Sequence, residues 1–70
     1  MPDNNSAALV EDGLVTVPEA AAFLRLSRST VYELMNQGVL AYAKIGRSRR
    51  IPRRALVELA ARELRGGVPR

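Results

Sequence analysis

The stretch Ser27-Arg28-Ser29-Thr30-Val31-Tyr32-Glu33-Leu34-Met35-Asn36-Gln37-Gly38 decides the fold. Ser27 is a good N-cap, because its hydroxyl can accept a hydrogen bond from a backbone N–H that the first helical turn leaves unpaired. At 100° per residue Val31, Leu34 and Met35 gather on one side, while Ser29, Tyr32, Glu33 and Asn36 gather on the other. Gly38 supplies a left-handed stop. The stretch therefore reads as a short helix with an apolar back and a hydrogen-bonding front.

Upstream, Thr16 followed by Glu19 spells a capping box, and Pro18 falls in the first turn, where its missing donor does no harm. Val17, Ala20, Ala21 and Leu24 share one face, flanked by Phe23, and Glu19, Ala22 and Arg25 point away. The two alanines let a second helix cross closely. Arg25-Leu26 makes the connection. Two short helices joined in this way form a helix-turn-helix, although helical hairpins of this kind also serve as plain packing units.

Downstream the period changes. Ala41, Ala43 and Ile45 alternate with Tyr42 and Lys44, Gly46-Arg47-Ser48 makes a turn, and Arg49-Arg50-Ile51 returns as a second strand. A hairpin tipped with Arg-Ser-Arg-Arg is poor for folding, since like charges repel there, and such a conflict suits a site built for an anion. The alternative is a solubilising loop. A third helix then runs from Pro52 or Arg53 to Arg65, with Leu56, Leu59, Ala60 and Leu64 on its inner face. The expected fold is mainly α with a small β-hairpin, a winged helix-turn-helix over 14–65. Residues 1–13 and 66–70 are expected to be flexible tails.

Charge is segregated. Between Arg25 and Arg54 stand eight basic residues and one acid, Glu33, a net of +7; the remainder holds three basic residues and six acids, a net of −3. Cations concentrated beside a polar helix face are the footprint of a polyanion binder, where a chain needing charge only for solubility would mix its signs.

Seventy residues allow one domain with a small core and leave little for an enclosed active site. With neither cysteine nor histidine, disulfides, thiolate zinc sites, cysteine nucleophiles and histidine acid–base chemistry are excluded. Seven scattered carboxylates form no evident acid–base or metal cluster, so a non-enzymatic protein without cofactor or metal is expected. No apolar run approaches the roughly 20 residues of a membrane span, and the N-terminus lacks the order of a signal peptide. A cytoplasmic, nucleoid-associated location is expected.

Thr-Val-Pro-Glu-Ala-Ala-Ala-Phe-Leu at 16–24, Leu-Ser-Arg-Ser-Thr-Val-Tyr at 26–32, and Lys-Ile-Gly-Arg-Ser-Arg-Arg-Ile-Pro at 44–52 followed by Arg-Arg-Ala-Leu strongly resemble the excisionase family. These are small winged-helix DNA-binding proteins related to the DNA-binding domains of MerR-like regulators. The resemblance covers about Leu14 to Leu64. It implies that Ser29 and Glu33 approach base edges in the major groove, that Arg28 and Tyr32 reach phosphate or base, and that Arg47 enters the minor groove. Asn36 completes the recognition face, and Lys44, Ser48, Arg49 and Arg50 complete the wing. Thr30, Arg53 and Arg54 are expected at phosphates. The family often has glycine where this chain has Arg25.

Two of these residues carry alternatives. Tyr32 either reads DNA or leans on the hairpin as a half-buried aromatic. Glu33 either accepts a hydrogen bond from a cytosine amino group or pairs with Arg28 or Arg50. Arg53 and Arg54 at a helix N-terminus oppose the dipole and gain nothing there without an anion.

The leading functional expectation is a sequence-specific binder of double-stranded DNA. It would act as an excision factor with an integrase or recombinase, binding head-to-tail with its own copies and bending DNA. A small transcriptional regulator of a mobile element or operon is the first alternative, and a protein-interaction adaptor the second. A ligand-sensing MerR-like regulator is not expected, because no long heptad helix follows the third helix.

Overall fold

The computed structural model describes residues 10–66. The expected tails lie mostly outside that range, at 1–9 and 67–70. Six elements follow in order: β1 (Leu14–Val15), α1 (Val17–Leu24), α2 (Arg28–Asn36), β2 (Ala43–Ile45), β3 (Ser48–Pro52) and α3 (Arg53–Arg62).

Local chemistry explains the boundaries of α1 and α2. The Thr16 hydroxyl accepts from the Glu19 N–H at 3.2 Å, and the Glu19 carboxylate accepts from the Thr16 N–H at 2.8 Å, completing the capping box of α1. Ser27 caps α2 by accepting from the Thr30 N–H at 3.1 Å. Between them Arg25 turns left-handed (φ 58°, ψ 43°), so this arginine takes the backbone that glycine usually fills. α2 ends on Gly38, whose φ is +78°.

The sheet is three-stranded and antiparallel, in the order β1-β3-β2. β2 and β3 form the expected hairpin, in register Ala43↔Arg50, Lys44↔Arg49 and Ile45↔Ser48, closed by Gly46 and Arg47. Positive φ at Gly46 but not at Arg47 is the pattern of a type II′ turn, whose twist matches that of the strands. The two-stranded wing is extended by β1, which pairs Leu14 with Pro52 and Val15 with Ile51. Two residues are too short to display alternation, and their partner strand is distant in sequence.

Val15, Val17, Ala20, Ala21, Val31, Met35, Leu40, Ile51, Ala55, Leu56 and Leu59 make one core. Ala20 is fully buried, as expected where helices cross closely. α3 is shorter than its apolar pattern suggests. It stops at Arg62 rather than Arg65, and Ala60 and Leu64 are exposed rather than inward. The reasons differ: Ala55, Leu56 and Leu59 set the buried direction, from which Ala60 falls well to one side at 100° per residue, whereas Leu64 lies beyond the end of the helix.

The described part of the N-terminal segment docks on α3. The Gly13 N–H donates to the Val10 carbonyl, and the Arg53 N–H donates to the Gly13 carbonyl, each at 3.0 Å. Pro52 offers α3 no side-chain cap, so the Gly13 carbonyl takes one of the unpaired donors at that helix start. Asp12 and Glu11 pair with Arg54 at 3.3 and 3.9 Å. Those two carboxylates supply the anion that an arginine at a helix N-terminus otherwise lacks.

Candidate nucleic-acid interface

α2 is anchored by Val31 and Met35, buried at its back, with Leu34 half-buried beside them. That anchoring turns Ser29, Tyr32, Glu33 and Asn36 outward together, with Arg28 exposed at the helix start. Glu33 makes no ion pair among the described residues, so the bridges to Arg28 and Arg50 are not formed. Thr30 stands apart from this front: it is half-buried, and its hydroxyl lies 2.9 Å from that of Ser27.

The hairpin divides its cations between two faces and a tip. By register Lys44 and Arg49 share one face, Arg50 lies with Ala43 on the other, and Arg47 stands at the turn. Lys44 and Arg47 are exposed, while Ser48, Arg49 and Arg50 are half-buried. Arg50 donates to the Arg49 carbonyl at 3.0 Å. Arg28, Lys44, Arg47 and Arg53 have no ion pair or side-chain hydrogen bond among the described residues, so their charge is available to a partner. Arg54 is already engaged by Asp12 and Glu11.

Arg49 joins the two halves of the surface. Its guanidinium carbon lies 5.3 Å from the ring centroid of Tyr32 and 4.8 Å from that of Tyr42, and it donates to the Asn36 side-chain carbonyl at 3.3 Å. Tyr32 thus leans on the hairpin through a cation while keeping 42% of its surface exposed. Tyr42 has no place among the residues singled out from sequence. Its signal is the diagonal: Tyr42 stands two residues before Lys44, which pairs with Arg49, and a long side chain reaches across such a diagonal.

A second surface lies on the far flank of α2. Leu24, Leu26, Leu34, Val39 and Leu59 line an open groove of about 530 Å³, with Glu63 at its edge. At 100° per residue its α2 members Thr30 and Leu34 sit roughly 160° around the helix from Tyr32 and Asn36, which face the wing.

Polar front, unpaired cations and two-stranded wing together define a small winged helix-turn-helix protein. Comparison places it more closely. Residues 14–63 match the family described as a helix-turn-helix domain. The chain is 49% identical over 49 residues to a "Probable excisionase" of Saccharopolyspora erythraea, covering 70% of this chain and 50% of that protein. It is 41% identical over 46 residues to a "Putative DNA-binding protein" found in two strains of Mycobacterium tuberculosis, covering 66% of this chain and 59% of those proteins. The chain belongs to this excisionase-type family of small helix-turn-helix DNA-binding proteins. It spans about half to three-fifths of the length of these curated relatives. No solved structure matches it significantly. Among the described residues no helix is long and apolar enough to cross a membrane.

Proposed function

We propose that this chain binds double-stranded DNA sequence-specifically and serves as an excision factor beside an integrase, without chemistry of its own. The observation that carries the reading is a polar helix front, Ser29, Tyr32, Glu33 and Asn36, bordered by the cations Arg28, Lys44 and Arg47, which have no ion pair among the described residues. The front presents donors and acceptors to base edges, and the cations neutralise phosphate. Arg47 at the wing tip reaches an adjacent minor groove, and Arg50 and Arg53 extend the phosphate track. The similarity to a probable excisionase supports the recombination role.

The chain binds in cooperative head-to-tail arrays in this reading. A single module buries only about 600–1,000 Å² of protein surface against DNA, so neighbours on the duplex supply the remaining energy. Two exposed apolar features fit each other across such an array. Ile45 on the wing is 59% exposed, and the leucine-lined groove lies on the opposite flank of α2 with Glu63 beside it to meet Lys44 or Arg47 of the next copy.

The test is selection of binding sites from random duplex, followed by excision assays with an integrase from the same genome. Enrichment of a motif and stimulation of excision support the whole reading. Enrichment without stimulation leaves a transcriptional regulator, and no enrichment sinks sequence-specific binding altogether.

A further inference from the structure

We propose that Arg49 is a positioning residue, which fixes the wing against the recognition helix and thereby sets which groove geometry the two can read together. The inference rests on the reading of α2 and the hairpin as the DNA-binding surface.

The outer half of the hairpin has no core of its own. Lys44, Ile45, Gly46 and Arg47 are all exposed, and the nearest fully buried residue of β3 is Ile51. The base of the hairpin is held in the core by Ile51 and by its pairing with β1, but no core residue fixes the outer half against α2. Among the described residues the Arg49–Asn36 hydrogen bond is the single side-chain hydrogen bond between hairpin and α2, and no ion pair joins them. The same guanidinium lies against two tyrosine rings, at 5.3 and 4.8 Å, one from α2 and one from the start of the hairpin. Tyr32 and Asn36 are one helical turn apart, so they offer Arg49 a ring face and a carbonyl from adjacent positions on α2.

The chemistry requires arginine. A planar guanidinium can lie along ring faces and still donate in its plane, whereas an ammonium is a compact, strongly hydrated point charge. Arg49 is half-buried in this clamp, and turning outward to a phosphate would sacrifice both rings and the Asn36 bond. Among the described residues its cationic neighbours Lys44 and Arg47 make no such contacts, which leaves their charge for phosphate. Two arginines of one hairpin thus divide the labour: Arg47 touches DNA, and Arg49 decides where Arg47 stands.

The experiment compares the full chain with Arg49→Ala and Arg49→Lys in two measurements. In free protein, residual dipolar couplings of the hairpin amides relative to those of α2 should report one orientation for the wild type and an averaged one for both variants. On duplex DNA both variants should bind about tenfold more weakly, as expected when contacts to two rings are lost. The slope of log K against log salt should stay that of the wild type. A slope shallower by about 0.9 in Arg49→Ala would make Arg49 a phosphate ligand and overturn the proposal. So would wild-type affinity in Arg49→Lys, or unchanged couplings in Arg49→Ala. If Arg49→Ala does not fold, Tyr42→Leu loosens the clamp from its other side and should give the same averaging; wild-type couplings there overturn the proposal equally. Should the wild type bind no DNA, the functional reading fails, and the dipolar couplings alone still decide whether Arg49 holds the wing.

Discussion

Arg25 and Gly38 end successive helices in the same conformation. At the first, the Leu26 N–H donates to the Ala21 carbonyl at 3.0 Å and the Arg25 N–H to that of Ala22 at 3.3 Å. At the second, the Val39 N–H donates to the Leu34 carbonyl at 2.9 Å and the Gly38 N–H to that of Met35 at 3.1 Å. Both are Schellman endings, with left-handed residues at φ 58° and 78°. One uses the residue suited to that backbone, and the other does not.

Substitution at the two positions should therefore have opposite signs. A non-glycine residue in the left-handed region costs about 1–2 kcal/mol, of which the greater chain entropy of glycine returns about 0.5–1 kcal/mol. Arg25→Gly should stabilise by up to about 1 kcal/mol. Gly38→Ala should destabilise by a similar amount through the backbone alone, because a Cβ there meets nothing within 4 Å. Urea denaturation of both variants checks this, and destabilisation by Arg25→Gly would refute the strain at Arg25.

The capping box makes stability depend on acid. Hydrogen bonds from the Thr16 backbone N–H and then its side chain hold the Glu19 carboxyl below the ordinary glutamate range, with lesser help from Arg53 and Arg50. A carboxyl lowered on folding stabilises the fold while ionised and loses that contribution as pH falls through its folded-state pKa. Glu19→Gln keeps an accepting oxygen but no charge. It should be less stable than the wild type at neutral pH, and the gap should close as the solution is acidified below the ordinary glutamate range. Denaturation midpoints over a pH series test the sign, and a gap that widens in acid would reverse it.

The caps are legible in the sequence because they are local. Thr16 with Glu19, Ser27 and Gly38 each act on residues a few positions away, and the alternate faces of α2 follow from helical geometry alone. What is hidden depends on partners distant in sequence. Strand β1 exists only because Ile51 and Pro52 pair with it. Leu40, in the connection after α2, is one of the most buried side chains, with no periodic pattern to mark it. The Arg49 clamp needs the hairpin register and the placement of α2 at once, so a basic run reads as cations of equal standing until the fold separates them. Ala60 and Leu64 show the converse: an apolar residue near the inward stripe need not be buried once other residues set the helix rotation, as at Ala60, or once the helix has ended, as at Leu64.

Salt dependence measures the phosphate contacts. If Arg28, Lys44, Arg47, Arg50 and Arg53 neutralise about five phosphates, log K should fall against log salt with a slope near about −4.5. Fluorescence anisotropy on a single-site duplex over a range of potassium chloride gives the value. A slope shallower than about −2 would be incompatible with the proposed cation track.

Wing and helix should fail differently. Arg47→Ala should weaken binding and remove a preference for narrow, A·T-rich minor groove, because an arginine inserted there depends on groove width. Ser29→Ala and Glu33→Ala should relax preference at one or two major-groove positions, each by about 1–3 kcal/mol of discrimination. Selection of binding sites on the three variants separates these effects. Identical motifs from all three would move the reading surface elsewhere.

Cooperativity should reside in the groove and be separable from DNA contact. Leu26 lines the groove and is exposed, and it lies outside the front that faces bases, so Leu26→Asp places a charge where the neighbour's Ile45 would pack. Burying that unpaired carboxylate is costly enough to break a weak protein–protein contact. Single-site affinity should stay within about twofold of the wild type, whereas on a duplex of several sites the ladder of shifted bands should collapse to independent binding. Ile45→Ser, which removes the apolar side chain without placing a negative charge beside Lys44 and Arg47, should do the same from the other side, and both proteins should sediment as monomers without DNA, as the wild type should. A stable wild-type dimer in free solution would contradict the head-to-tail array and favour paired half-sites. Undiminished cooperativity in Leu26→Asp would return the contact to charge alone, between the wing cations and Glu19, Glu58 or Glu63.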